Sequence, residues 1–365
     1  MRKLEYITVL RAIAILAVLT VHVNLLTPRG QSLGPTFELL ISNGARGVQL
    51  FYLLSAFTLF LSFNNRSATE KKPIRNYFIR RFFRIAPLYY VAILYYLWQD
   101  GTGPRYWLGD AKGISTANIA SNFLFVHGFS PYWINSVVPG GWSVAVEVLF
   151  YSLLPFLFTR IKNIQQACIF TIIALVLRIV MVRFLFHYPL IADKDLWSNY
   201  LFLFLPNQLP IFGLGIILYF IIYDNQKIKF SFKFLFVIAV CTITALAVKP
   251  DLFVFEAFYF GAGFLLLAYA LHRYHPVVLF NRFFLYVGKV SYTLYLTHFA
   301  VVFLLTRFNL ANFIRIDNPA TAPLNYMLNY IIVLSLSVAV STVLYYTVEE
   351  PMQRVGKRLL RIVNN

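Results

Sequence analysis

The most constraining feature of this 365-residue sequence is a series of apolar runs that approach the length of a membrane-crossing helix. A helix rises about 1.5 Å per residue, so about 20 apolar residues cross the roughly 30 Å hydrocarbon core of a bilayer. Ten runs are read, at 6–26, 46–63, 85–98, 142–158, 166–185, 200–222, 234–248, 252–271, 285–306 and 324–347. The third is short and needs tilt or aromatic flanks to span. The apolar stretch 118–129 is shorter still and reads as re-entrant or interfacial; if it spanned, the count would be eleven and the later loops would invert. The predicted fold class is an all-α polytopic membrane helix bundle of about ten transmembrane helices, forming a single domain over 1–365.

Composition agrees. Charged residues are 13% of the chain and mean hydropathy is +0.69, against roughly 25% charged in soluble domains. Too few charges remain to coat a soluble surface, and no low-complexity tract suggests disorder. The net charge of +18 could point to nucleic acid, but the basic residues sit in short clusters between apolar runs, as in loops that orient a membrane protein. No nucleic-acid partner is expected, and membrane lipids are the expected surroundings. With ten spans and the N-terminus inside, and with Arg46 and Lys289 near span ends counted with the adjoining segments, 21 of the 32 lysines and arginines fall in inner segments, 8 in outer segments and 3 within spans. That bias predicts a multi-pass protein with two cytoplasmic termini. The first run is not a cleavable signal, because Arg11 and His22 interrupt it and no small-residue cleavage site follows. Cys168 and Cys241 lie in apolar runs, so no disulfide framework is expected. No His, Cys or carboxylate spacing matches a zinc site, and no metal is expected.

Ionisable groups at membrane depth are costly and need a reason. Arg11 and His22 are eleven residues apart on the first run. Eleven steps of about 100° return to nearly the same face, while the axial separation of about 16 Å keeps the two apart. They read either as a stripe along a polar passage or as a snorkelling arginine and a histidine bonded to a carbonyl. Glu147, in GGWSVAVEVLFY (140–151), enters an apolar helix from the opposite side, at a depth comparable with His22. A carboxylate there can orient an imidazole, or can be a structural ion pair or a protonated helix link. Arg80, Arg81 and Arg84 crowd the entrance of the third run. They read as positive-inside anchors or as guanidinium forks for an anion, with Pro87 starting or kinking the helix. His298, in GKVSYTLYLTHF (288–299), is open between packing and function, while Tyr292 and Tyr295 read first as core. His127, His187, His272 and His275 lie at ends or in loops and carry little weight.

Together these segments resemble acyltransferase family 3, multispan membrane enzymes that O-acylate bacterial surface glycans and related acceptors. The resemblance runs from Leu4 to Pro351. Arg11 and His22 match its Arg-x10-His motif, Arg80, Arg81 and Arg84 its Arg-Arg-x-x-Arg, and WSVAVEVLFYSLLP (142–155) its Trp-Ser-x-x-x-Glu. SYTLYLTHF (291–299) matches its late Ser-Tyr-x-x-Tyr-x-x-His, GVQLFYLLSAF (47–57) its second-helix signature, and YYTVEEP (345–351) its terminal segment. Ala56 stands where the family usually has Gly, and Gln49 where an acid is common. With no esterase-like domain after the bundle, the chain resembles the stand-alone members.

The resemblance implies transfer of an acyl group, expected to be acetyl, from cytoplasmic acyl-CoA to a hydroxyl of an extracytoplasmic or lipid-linked saccharide. It implies a catalytic set of His22, Glu147 and Arg11, donor binding by Arg80, Arg81 and Arg84, and substrate binding by Trp142, Ser143, Tyr292 and His298. Acetyl-CoA, or another acyl-CoA, is the donor. An alcohol is almost un-ionised near neutral pH, so it needs a base as it attacks the thioester. His22 is the candidate base with Glu147 as its orienter, and an acyl-histidine intermediate is an equal possibility. The alternative is a proton-coupled transporter or flippase of an envelope precursor, since buried His, Glu and Arg also mark proton relays; a structural partner of a synthase ranks last.

Overall fold

A computed structural model describes residues 4–28, 32–223, 232–248, 256–314 and 321–364. Among these residues every regular element is helical and no strand occurs. In chain order the helices are α1 (Glu5–Val23), α2 (Pro35–Asn43), α3 (Gly47–Ser67), α4 (Pro73–Asp100), α5 (Thr116–Phe123), α6 (Gly141–Arg160), α7 (Ile164–His187) and α8 (Lys194–Leu203). They continue as α9 (Leu205–Tyr223), α10 (Phe232–Val248), α11 (Glu256–Arg273), α12 (Arg282–Lys289), α13 (Ser291–Arg307), α14 (Thr321–Leu344) and α15 (Glu350–Asn364). Local sequence sets several starts. Pro73 and Pro35 occupy the first turns of α4 and α2, where a missing N–H costs nothing. Ser115, Asn163, Asp193 and Asn281 cap α5, α7, α8 and α12 by accepting from a backbone N–H three residues on.

All ten apolar runs fall on helices, though 252–255 and the basic residues Arg2, Lys3, Arg29, Lys227, Lys229, Lys249 and Arg315 lie outside the described residues. Among the described residues six segments are long and apolar enough to cross a membrane: Glu5–Leu26, Pro35–Ser67, Gly141–Arg160, Ile164–His187, Lys194–Tyr223 and Thr321–Asn364. The pair α12 and α13, bent by 80°, makes a seventh if counted as one broken span. This multi-pass helical protein therefore departs from the count of ten, for reasons that differ by helix. Helix α4 has 28 residues but carries four arginines in its first half. Helix α10 has 17 residues, and α11 has Glu256 at one end and His272 and Arg273 at the other. The run at 85–98 is the second half of α4, with Pro87 inside that helix rather than at its start. The stretch 118–129 forms the 8-residue α5 and a 3-10 turn at His127–Phe129. At about 12 Å, α5 is too short to span.

The chain folds as two compact units interleaved in sequence, one of 1–54 and 227–345, the other of 55–226 and 346–365. In the first, α1 is gripped on several sides. A Cβ at Gly288 would strike the Thr8 carbonyl, and one at Gly44 or Gly47 would strike the Ala17 or Ala14 carbonyl. Only glycine lets α12 and the 44–46 turn approach the α1 backbone so closely. From α14, the Tyr326 hydroxyl donates to the Thr20 carbonyl at 2.8 Å and the Tyr330 hydroxyl to the Leu16 carbonyl at 2.9 Å.

In the second unit, α15 lies antiparallel along the first half of α4. Gly356 packs directly on the Phe83 ring. Near the other end of the pair, Asn364 Oδ1 accepts from Arg75 Nη2 at 2.8 Å and from Asn76 Nδ2 at 3.2 Å. Helix α6 packs on α4 through the Tyr77 hydroxyl, which donates to the Tyr151 carbonyl at 3.2 Å. Helix α7 keeps an open apolar face of Ile169, Ile172, Ile173, Val176 and Val180, as suits a helix whose solvent is lipid.

Candidate functional site

In the first unit, α1 and α13 bring two histidines of the sequence-derived set together. His298 Nε2 lies 3.0 Å from His22 Nδ1, and His298 Nδ1 lies 3.0 Å from the Leu294 carbonyl one turn back. His298 is fully buried and His22 is half-buried. The Phe299 ring closes one side, 4.1 Å from the His22 ring and 4.3 Å from that of His298. The carbonyl fixes the protons. It can only accept, so Nδ1 of His298 carries a hydrogen. In a neutral ring Nε2 of His298 is then a lone pair, and Nδ1–H of His22 donates to it. With its hydrogen on Nδ1, a neutral His22 ring leaves Nε2 as the unprotonated nitrogen. An imidazole held in one tautomer by a buried partner is suited to accept a proton. Arg11 lies on the same helix, about 16 Å away along its axis.

The second unit gathers the other ionisable residues. On α6, Glu147 Oε1 accepts from the Ser55 hydroxyl at 2.5 Å and from the Tyr151 hydroxyl at 2.6 Å. These are the lengths of hydroxyl-to-carboxylate hydrogen bonds. Tyr151 is one helical turn after Glu147 and carries the Arg81 guanidinium 5.9 Å above its ring. The sequence made Glu147 the orienter of His22; the observed partner of His22 Nδ1 is His298, and the observed partners of Glu147 are Ser55 and Tyr151.

The three arginines of α4 have different environments. Arg80 forms a two-pronged pair with Glu70, at 2.7 and 3.1 Å. Burial disfavours the charge on Glu70, yet hydrogen bonds from Arg80 and Asn76 outweigh it and hold the carboxyl below its ordinary range. Arg81 and Arg84 line a cavity of about 480 Å³ between α4 and α15, with Arg66, Glu70, Arg80, Lys357 and Arg361. Arg81 Nε is buried with no hydrogen-bond acceptor among the described residues. Arg81 also borders an apolar hollow of about 210 Å³ lined by Phe78, Phe82, Ile85, Phe125 and Val148.

Trp142, Ser143 and Tyr292, the remaining residues of the expected set, lie on α6 and α13. Trp142 packs with Ile134, Trp197, Leu201 and Phe204, and the Ser143 hydroxyl donates to the Gly140 carbonyl at 2.9 Å. Tyr292 lies in the first turn of α13. His127 is buried with its Nε2 3.1 Å from the Gly141 carbonyl, and burial pushes its imidazole down to about 4, so it is neutral near pH 7. Among the described residues no cluster of His, Cys, Asp or Glu could hold a metal ion.

Sequence reasoning did not identify the pairing of His298 with His22, the two hydroxyls on Glu147, or the cations of α15. Tyr151 was findable, because an i, i+4 spacing puts it beside Glu147. The histidine contact joins residues 276 positions apart and left no local signal.

A family model for the acyltransferase domain, acyltransferase 3, matches residues 4–346. The chain belongs to that family. Membership supports an acyltransferase, working at a membrane on sugars as a broad class. The match takes in residues of both compact units and ends before α15. Comparisons with curated proteins and with solved structures returned no match.

Proposed function

We propose that this acyltransferase moves an acetyl group from acyl-CoA to a saccharide hydroxyl, with His22 as general base. The observation that carries this reading is the histidine pair, in which His298 and the Leu294 carbonyl leave Nε2 of His22 unprotonated. The acceptor hydroxyl approaches Nε2 and gives up its proton as its oxygen attacks the thioester carbon. The carbon–sulfur bond breaks, and the thiolate of CoA leaves and takes a proton. His298 is a positioning residue, accepting from Nδ1–H and steadying the charge that forms on the His22 ring. Substrate contacts by Trp142, Ser143 and Tyr292, and a role for Arg11 in catalysis, are part of the same reading. Turnover of labelled acetyl-CoA by purified protein tests it and separates it from transport.

CoA carries its phosphates at one end and its thioester at the other, so different residues are expected to handle the two. Arg81 and Arg84 line the α4–α15 cavity, and guanidinium forks suit phosphate. Arg84→Ala is expected to raise KM for acyl-CoA about tenfold with kcat little changed, because it removes binding common to ground and transition states. Arg84→Lys keeps the charge but loses the fork, and should recover only part of the affinity. Steady-state kinetics on both variants reads this, and a lysine variant equal to wild type would reduce Arg84 to an anchor.

We take the protein to sit in a bacterial inner membrane, in keeping with its family, with both termini cytoplasmic on the strength of its basic-residue bias. A cysteine probe at Ser115, the cap of α5, should then react with an impermeant reagent added to intact cells, and one at Ser67, the last residue of α3, should not. Labelling at Ser67 alone would invert the orientation.

A further inference from the structure

We infer that the C-terminal helix α15 is the second wall of the donor's phosphate site, with Lys357 and Arg361 as phosphate-binding residues; this rests on the acyl-CoA reading above. The face of α15 turned to α4 carries Gln353, Gly356, Lys357, Leu360 and Arg361, at the spacing of one helical stripe. All five line the 480 Å³ cavity, a volume within the roughly 300–1,000 Å³ of ligand sites. Across it stand Arg66, Arg80, Arg81 and Arg84. Six cations thus surround one space, and Glu70 is the one carboxylate among the lining residues.

A basic helix at a membrane surface has an ordinary explanation, attraction to anionic lipid. Two observations point past it. Helix α15 is fixed against α4 as part of the unit, by the close seat of Gly356 on Phe83 and by the bonds of Asn364 to Arg75 and Asn76. A helix serving only as a surface anchor has no need to direct cations at four arginines, an arrangement that costs repulsion unless an anion enters. Glu70 offsets one of those charges through Arg80, while Arg81 Nε stays buried without an acceptor. The chemistry that balances the site is a compact polyanion. The phosphorylated nucleotide end of CoA qualifies, with a phosphomonoester of roughly two negative charges beside a pyrophosphate.

The face of α15 also supplies the control. Arg354 and Arg358 are on the same helix, are exposed and do not line the cavity. Full-length protein is placed in nanodiscs of phosphatidylcholine, which presents no net anionic lipid, and CoA binding is measured by calorimetry. Lys357→Gln with Arg361→Gln is expected to weaken CoA binding about tenfold or more. Arg354→Gln with Arg358→Gln removes the same charge and is expected to stay within about twofold of wild type. Lys357→Arg with Arg361→Lys keeps both charges and should restore most of the affinity, which separates charge from folding. Equal losses from the two Gln pairs would reduce α15 to a general electrostatic effect and overturn the inference. Unchanged binding in the Lys357/Arg361 pair together with lost binding in Arg84→Ala would overturn it while leaving the donor reading intact. Binding of phosphatidylglycerol vesicles but not of CoA by wild type would assign the cavity to lipid headgroups, and both readings would fall.

Discussion

His22→Ala is expected to lower the acyl-transfer rate by about 10²–10⁴-fold, the usual worth of general-base assistance, with expression and membrane insertion unchanged. His22 is half-buried at the end of α1, and its loss leaves His298 its bond to Leu294. A fold effect is therefore small. His298→Ala tests the arrangement more sharply. It removes the acceptor of the His22 Nδ1–H, so the tautomer is no longer fixed and kcat should fall. The acid limb of the kcat–pH profile should move while KM for the donor does not. A purely structural role would change amounts of folded protein without moving that limb. Rates and pH profiles normalised to folded protein decide the matter, and full activity in His22→Ala would refute the assignment.

The second large effect is expected at Glu147. A glutamine there can still accept from Ser55 and Tyr151 through its carbonyl, so Glu147→Gln keeps the helix contacts of α3 and α6 but loses the charge. An activity loss of about 10²-fold in a stable Glu147→Gln variant would mark the carboxylate as part of the reaction. If Glu147 serves the same step as His22, the double variant should be little worse than His22→Ala. Losses that multiply would make the two independent, and near-normal activity in Glu147→Gln would leave Glu147 a packing group.

The all-helical, multi-pass architecture was legible because runs of apolar residues leave a chain few other options. The number of long apolar helices was not. Hydropathy windows treat residues 85–98 as a unit, but the helix extends back to Pro73 through Arg75, Arg80, Arg81 and Arg84, which an apolar count stops at. His22 and His298 were both visible as costly residues in apolar surroundings, yet their pairing depends on how α1 meets α13, and no periodicity encodes that. Arg80 looked equivalent to Arg81 and Arg84 by motif. Glu70, ten residues upstream in a turn with no motif of its own, makes it different. The cations of α15 passed as inner-surface charge because their partner helix is α4, more than 250 positions earlier in the sequence.

The grip on α1 has a consequence for how its histidine can be tuned. Glycines at 44, 47 and 288 seat neighbouring elements against the backbone near Thr8, Ala14 and Ala17, while two tyrosine hydroxyls hold the carbonyls of Leu16 and Thr20. Such contacts leave no shallow sliding coordinate. A shift of α1 by one residue, about 1.5 Å of rise with about 100° of rotation, would turn His22 off His298. With the backbone of α1 held in this way, gradual change in the reactivity of His22 is expected to come from the side chains around it, Phe299 among them.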